Sequence, residues 1–207
     1  MIVAVDLDGV VTNWAKGFST LCNIINPLAP IIEDNNCPAW VWQDWYGEKQ
    51  GIEGKKRDEL IENAWEMAHG VPFFWTDLDE LFPEDMPRLR EHYREWPIVF
   101  MTRREGVEPM VQTWSWLHAR GVEEPLIIRV RSGEEKGEWC KKLGITTIIE
   151  DSPKYADEIL EKGVKLIMLK WPYNEQWRLE NIRTPGWYEA DTLGHALSLA
   201  ALLRKED

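Results

Sequence analysis

The first ten residues constrain the fold of this chain more than any other segment. A short apolar run, Ile2 to Val5, ends in two aspartates, Asp6 and Asp8, which are followed by Gly9. A short apolar run bounded by glycine is typical of a buried strand, and residues two apart on a strand share one face. The glycine permits a turn that brings both carboxylates to the carboxyl end of the strand, where open α/β sheets bind their ligands. The alternative is an ordinary turn with two solvated acids.

Two further apolar runs also end in polar side chains. Residues 97–104 contain a hydroxyl, Thr102, followed by two arginines, and residues 146–153 contain the adjacent carboxylates Glu150 and Asp151. Strands that alternate with helices of this length predict a parallel sheet, in which the carboxyl ends of neighbouring strands lie side by side. We therefore expect these groups to form one pocket, which favours a functional site over a solvated turn.

A lysine adds positive charge to this predicted pocket. Lys136 opens a predicted helix over residues 134–143 and precedes Glu150 by fourteen residues, enough for one helix and one strand. Lys141 and Lys142 are the alternatives, but they fall in the last turn of that helix, where cations interact favourably with the helix dipole and are usually structural. The pattern favours Lys136.

Together, these four segments resemble the motifs of the haloacid dehalogenase-like phosphohydrolases. The resemblance implies an α/β fold with a Rossmann-like, three-layer parallel sheet core and a small, mainly helical cap inserted after the first strand. It implies a nucleophile that forms an aspartyl-phosphate, a general acid/base, a phosphoryl-binding hydroxyl and a charge-neutralising lysine, which are in turn Asp6, Asp8, Thr102 and Lys136. It also implies Mg²⁺, a hard cation that prefers oxygen ligands, held by Asp6, the backbone carbonyl of Asp8, Asp151 directly, and Glu150 directly or through water.

A narrower resemblance is to the 5′(3′)-deoxyribonucleotidases, carried by residues 6–11, 149–156 and 171–174. It implies a phosphomonoesterase that acts on nucleoside or deoxynucleoside monophosphates. Two features depart from that family: a glutamate at position 150 where aspartate is usual, and two arginines after Thr102, which look more like the phosphatase half of polynucleotide kinase-phosphatases. The alternatives are a 3′-phosphatase on nucleic-acid ends, a phosphatase for another small metabolite and a non-catalytic binding module.

The segment between the first and second motifs differs in composition from the rest of the chain because it is rich in tryptophan. We interpret residues 28–75 as the cap, and residues 1–27 and 76–207 as the core. Aromatic walls are typical of small-molecule pockets and stack on nucleobases, although they also fill the core of a small insertion. The predicted substrate-binding residues are Trp40, Trp42, Trp45, Phe74, Trp75, Arg103 and Arg104.

The charge and the cysteines limit the partners. The formal net charge is −12 without a long basic stripe, whereas long nucleic acid is bound through a basic surface, so a small phosphorylated substrate is favoured. Three widely spaced cysteines do not indicate a disulfide framework. Met1 leads directly into the first strand, and no apolar run is long enough to span a membrane. We expect a cytoplasmic protein without a membrane partner, and a homodimer is left open.

Overall fold

A computed structural model of the chain describes residues 2–33, 37, 39 and 41–206. It contains a six-stranded sheet in the order β3-β2-β1-β4-β5-β6, and every neighbouring pair is parallel. The strands are β1 (Ile2–Asp6), β2 (Ile98–Thr102), β3 (Ile127–Arg129), β4 (Ile145–Glu150), β5 (Lys165–Leu169) and β6 (Trp187–Ala190). The predicted Rossmann-like α/β fold is confirmed.

Helices cover both faces of the sheet. They are α1 (Trp14–Ile25), α2 (Gly54–Gly70), α3 (Met86–Glu95), α4 (Pro109–Ala119), α5 (Lys136–Leu143), α6 (Pro153–Glu161), α7 (Glu175–Glu180) and α8 (Leu193–Glu206). Since side chains alternate along a strand, Val3 and Val5 of β1 pack with α3, α4 and α8, whereas Ala4 packs with α5 and α6 on the opposite face. The core therefore has three layers, and no helix in the described part of the chain is long and apolar enough to cross a bilayer.

The sheet order brings three of the predicted motifs together. Central strand β1 has β2 on one side and β4 on the other. Their carboxyl ends carry Asp6, Thr102 and Glu150. The strands are parallel, so these ends meet at one edge of the sheet.

Residues 28–75, which we predicted to form the cap, share one hydrophobic cluster with helix α1. Residues 28–75 contain two 3₁₀ turns, Trp42–Asp44 and Glu48–Gln50, in addition to α2. Helix α1 was predicted as part of the core, but its buried face, including Phe18, belongs to the same hydrophobic cluster as α2. The reason is that α1 presents an aromatic face, and the rings of the insertion pack against it.

Two short elements near the carboxyl terminus were not predicted. Helix α7 is six residues long, and the edge strand β6 has only four. The first three residues of β6 are half-buried or exposed, so the strand lacks the continuous apolar run of a central strand.

The cap is joined to the loop after β2 by close backbone contacts. The Val107 N–H donates to His69 O over 2.9 Å, and Trp75 Nε1–H donates to Glu105 O over 2.9 Å. Between these contacts, Gly106 has φ of 99°, and a Cβ there would lie 2.6 Å from the backbone oxygen of His69. This position therefore requires glycine for conformation and for space.

We expect Gly106→Ala to destabilise the protein more than the same change at Gly133, which also has positive φ (83°) but has no atom within 4 Å of the Cβ that alanine would add. Gly133→Ala is expected to cost about 1–2 kcal/mol through backbone conformation alone. Gly106→Ala is expected to cost a further ~1–3 kcal/mol because the end of α2 must move. Urea unfolding of both variants measures the difference, and equal losses would contradict a close contact between cap and loop.

Candidate active site

Lys136 lies at the centre of the candidate site. It is the first residue of α5 and is 2% exposed, and its Nζ donates to Asp6 Oδ1 and to Glu150 Oε2, each over 2.6 Å. Burial alone would lower the pKa of Lys136, but these two carboxylates more than offset it, so the pKa is raised and the ammonium stays charged. Lys141 and Lys142 are exposed in the last turn of α5, so the structure brings Lys136, and neither alternative, to the strand ends.

Three buried carboxylates surround this ammonium. Oxygen atoms of Asp6, Glu150 and Asp151 lie within 4.8 Å of one another. Burial, and then the neighbouring charge of Glu150, raise the pKa of Asp6 to about 8. The same two causes raise the pKa of Asp151 well above its ordinary range. A single lysine therefore does not neutralise the cluster, and its oxygen donors suit a hard divalent cation.

Glu150 and Asp151 are held by different contacts. Glu150 Oε1 accepts the backbone N–H groups of Asp151 (3.3 Å) and Ser152 (3.1 Å), so this carboxylate closes the turn after β4. Asp151 accepts a hydrogen bond from the Tyr173 hydroxyl at Oδ2, and Asn174 Nδ2 donates to its backbone oxygen over 2.8 Å. The longer side chain of Glu150 thus reaches both the ammonium and the turn, and Asp151 has fewer contacts with backbone groups.

Thr102 is completely buried at the end of β2. Its Oγ1 accepts the backbone N–H of Arg104 over 3.2 Å, and its hydroxyl proton has no acceptor among the described residues. The hydroxyl lies at the same edge of the sheet as Asp6, but Thr102 is not among the residues that line the cavity described below.

The buried Arg104 forms an ion pair with Asp8, which is partly exposed. Arg104 Nε lies 3.0 Å from Asp8 Oδ2, and Nη2 lies 2.7 Å from Oδ1. The Arg104 side chain has no exposed area, and its remaining side-chain hydrogen bonds are with Thr12 and Thr113. Arg104 was predicted to bind substrate; although it borders the cavity, its donors are used within the protein, which points to a different role.

Arg103 has the opposite environment. It is half-buried and borders the cavity, its Nη2 donates to the backbone oxygen of Glu134, and its guanidinium lies 4.6 Å above the Tyr155 ring. Its Nε is buried without a hydrogen-bond partner. Arg103 therefore adds positive charge at the edge of the cavity.

A cavity of about 310 Å³ lies over these groups, and its upper wall is aromatic. Of the predicted aromatic residues, Trp42, Trp45 and Trp75 line it, whereas Phe74 is buried against Trp75 and does not. Trp40 lies outside the described residues. Gly9 of the first motif also lines the cavity, and the lining residues that were not predicted are Trp14, Cys37, Ala39, Trp65, Glu105, Ser132, Ser152, Tyr155 and Tyr173.

A sequence signal existed for some of these residues. Trp14 begins α1 directly after the first motif, and Trp65 lies one turn beyond Ile61 on the buried side of α2, so helical spacing alone places both near the cap interior. Tyr155 follows the acidic pair by one helical turn. No local pattern indicates Tyr173 or Ser132, which lie in other segments of the chain.

The three cysteines are buried and form no disulfide, as their spacing predicted. Cys37 alone of the three borders the cavity. Burial raises its pKa to about 12, which favours the protonated thiol.

No protein-family model and no curated protein matches the chain. Solved structures do. A haloacid dehalogenase (HAD) family hydrolase from Deinococcus radiodurans R1, with bound phosphate and sodium, is 14% identical with a TM-score of 0.57, over 99% of this chain and 95% of that chain.

Two further structures have higher TM-scores. A haloacid dehalogenase-like hydrolase from Streptococcus pneumoniae is 13% identical with a TM-score of 0.63, over 98% of this chain and 97% of that chain. A haloacid dehalogenase-like protein of unknown function from Agrobacterium tumefaciens is 12% identical with a TM-score of 0.61, over 98% of each chain. At these identities the likeness defines the fold: the chain has the fold of the haloacid dehalogenase-like hydrolases.

Proposed function

We propose that the protein is a Mg²⁺-dependent phosphomonoesterase that hydrolyses nucleoside or deoxynucleoside monophosphates through an aspartyl-phosphate on Asp6. The observation that carries this proposal is the position of Lys136, whose Nζ lies 2.6 Å from both Asp6 and Glu150 beside the third carboxylate, Asp151. Many folds bury one ion pair, but three carboxylates at the ends of the adjacent parallel strands β1 and β4, with a lysine from the first turn of α5, are suited to phosphoryl transfer, which depends mainly on positioning and charge.

Asp6 presents one oxygen for attack. Lys136 binds Oδ1, and none of the described residues donates a hydrogen bond to Oδ2. In the proposed reaction Oδ2 bonds to phosphorus as the bond to the leaving oxygen breaks. Thr102 and Arg103 donate to the phosphoryl oxygens, and Lys136 offsets the charge that Asp6 and the phosphoryl group bring together.

Asp8 moves the proton in both halves of the reaction. It donates a proton to the leaving oxygen, which departs as the alcohol. It then takes a proton from the water that attacks phosphorus, so the bond to Asp6 breaks and inorganic phosphate is released. The enzyme returns to its starting protonation state.

The carboxylates of Asp6, Asp151 and Glu150, with the backbone carbonyl of Asp8, would hold the metal ion. When bound, Mg²⁺ supplies positive charge that lets a dianionic phosphoryl group approach a carboxylate. The fit rests on the donor set and on the raised pKa values of Asp6 and Asp151, since carboxylates that retain protons without a cation release them to a divalent ion. The similar structure from Deinococcus radiodurans holds phosphate and sodium.

The cavity supports a small planar leaving group. Its volume of about 310 Å³ lies at the lower end of the ~300–1,000 Å³ range of ligand pockets, and indole rings from α1 and the cap line its upper part. Such rings stack on any nucleobase. The net charge of −12 and the covering cap are less suited to the end of a nucleic acid, which is the alternative substrate.

The test is phosphate release from a panel of ribo- and deoxyribonucleoside monophosphates and a 3′-phosphorylated oligonucleotide, with EDTA and then with Mg²⁺ restored. We expect release from monophosphates in Mg²⁺ only. Release from the oligonucleotide alone would favour end processing, and release that persists in EDTA would contradict the metal site. No release from any substrate would overturn the nucleotide assignment.

A further inference from the structure

The buried guanidinium of Arg104 connects three parts of the molecule. It binds Asp8 and Thr12 in the loop after β1, its Nη1 lies 3.1 Å from Thr113 Oγ1 in α4, and its carbon Cζ lies 4.9 Å from the centroid of the Trp75 ring. Arginine is almost never fully buried unless it is paired. The pair with Asp8 explains the burial, but Thr12 and Thr113 add directional contacts that charge neutralisation does not require.

These contacts fix the plane of the Asp8 carboxylate. A guanidinium binds a carboxylate through two parallel N–H groups, which sets orientation as well as distance. The Thr12 hydroxyl adds a third donor, 2.7 Å from Asp8 Oδ1. Lysine at position 104 would keep the charge and lose this geometry.

The two oxygens of Asp8 differ in their contacts. Oδ1 accepts from the Thr12 hydroxyl and from Arg104 Nη2 and Nε, over 2.7, 2.7 and 3.2 Å. Oδ2 accepts only Arg104 Nε among the described residues, over 3.0 Å. Oδ1 is therefore saturated, whereas Oδ2 keeps a lone pair, and Asp8 borders the cavity.

We infer that Arg104 is a positioning residue that, with Thr12, holds Asp8 so that Oδ2 carries the proton to and from the reacting oxygens. This inference rests on the proposed phosphomonoesterase function. In the first step the bond between phosphorus and the leaving oxygen breaks as that oxygen takes the proton from Oδ2. In the second step Oδ2 takes a proton from the attacking water.

The inference predicts a dependence on the leaving group. The alkoxide that leaves from an alkyl ester such as a nucleoside monophosphate needs the proton. The p-nitrophenolate that leaves from p-nitrophenyl phosphate is stable without it. We expect Arg104→Lys to lower the single-turnover rate of phosphoryl transfer from the nucleoside monophosphate by about 10²-fold, the lower end of a general-acid contribution, with KM little changed. The rate of phosphoryl transfer from p-nitrophenyl phosphate is expected to change less than tenfold. Because the variant then hydrolyses the phosphoenzyme slowly, we expect p-nitrophenol to be released in an initial burst.

Arg120→Lys is the matched control. Arg120 is partly buried, whereas Arg104 is fully buried, but it too pairs with a carboxylate and an aromatic ring: its Nε lies 3.1 Å from Glu80 and its guanidinium 3.8 Å above the Trp116 ring. It does not contact Asp8. We expect it to affect both substrates equally. Thr12→Val, which removes only the third donor to Asp8, is the second test variant. It is expected to slow the reaction of the alkyl ester selectively, as Arg104→Lys does, but by a smaller factor.

The outcomes separate the inference from the proposed function. A wild-type enzyme that transfers phosphate from neither substrate would refute the proposed function and the inference together. A wild-type enzyme that is active on both, with variants at positions 104 and 12 that lose equal activity on both, would overturn the inference alone. Selective loss with the alkyl ester in either variant, and none in Arg120→Lys, supports it.

Discussion

Asp6→Asn is expected to eliminate phosphate release, with kcat lower by on the order of 10⁶-fold, the scale reached when an enzyme's nucleophile is removed. The amide that replaces the carboxylate cannot form the phosphoryl bond. The substitution also removes one of the three carboxylate ligands at the candidate metal site. The measurement is phosphate release from the best substrate of the panel, in Mg²⁺, with trapping of a phosphorylated enzyme in the wild type.

Asp77→Asn is the matched control because Asp77 is exposed, so the same chemical change is made away from the cavity. We expect its activity to equal that of the wild type. Asp6→Asn should remain folded, as judged by circular dichroism, because Lys136 keeps its contact with Glu150. Residual activity above about one thousandth of the wild type would mean that Asp6 is not the nucleophile.

Lys136→Met should lose both stability and activity. Methionine has a similar length but no charge, so Asp6 and Glu150 lose the ammonium that lies 2.6 Å from each of them. Removal of one partner from a buried ion pair costs about 3–5 kcal/mol. Loss of a charge that stabilises the transferring phosphoryl group costs about 10²–10³-fold in kcat.

Urea unfolding in EDTA and phosphate release in Mg²⁺ measure the two effects. Lys141→Met is the control, since Lys141 is exposed five residues further along the same helix. It is expected to change stability by less than about 0.5 kcal/mol and activity not at all. If Lys141→Met lost as much activity as Lys136→Met, the assignment of the lysine would be wrong.

The strand ends of the site could be predicted because their signals are local. Asp6, Thr102 and Glu150 each follow an apolar run, and a parallel sheet places such ends at one edge whatever the order of the strands. Lys136 could be chosen over Lys141 because α5 leads into β4 and runs antiparallel to it. The first turn of α5 therefore lies near the carboxyl ends of the strands. These inferences need periodicity and topology, and both can be read from the chain.

Contacts between distant segments could not be predicted. Asp8 and Arg104 are 96 positions apart. The two adjacent arginines both border the cavity, but Arg103 is half-buried, whereas the Arg104 side chain has no exposed area and is paired with Asp8. The difference depends on the path of the loop after β2 and on Thr113 in α4, which supplies an acceptor. No pattern in a pair of arginines indicates which side chain faces inward.

The same limit applies to the cap. The tryptophan-rich composition predicted an aromatic insertion but not which rings line the cavity, because that depends on how α2 packs against α1. Trp65 lines the cavity from α2, whereas Phe74 is turned into the cap beside Trp75. The edge strand β6 was missed for another reason: four residues at the border of a sheet carry too little apolar periodicity to identify.

The central position of β1 has a consequence for biosynthesis. β1 is synthesised before both of its neighbours, and it pairs with β2 at residues 98–101 on one side and with β4 at residues 145–149 on the other. A nascent chain that stops before β4 leaves one edge of β1 unpaired and lacks Glu150 and Asp151. Such long-range pairings form slowly, so Asp6 gains its ammonium partner only after Lys136, 130 positions further along the chain, has been synthesised.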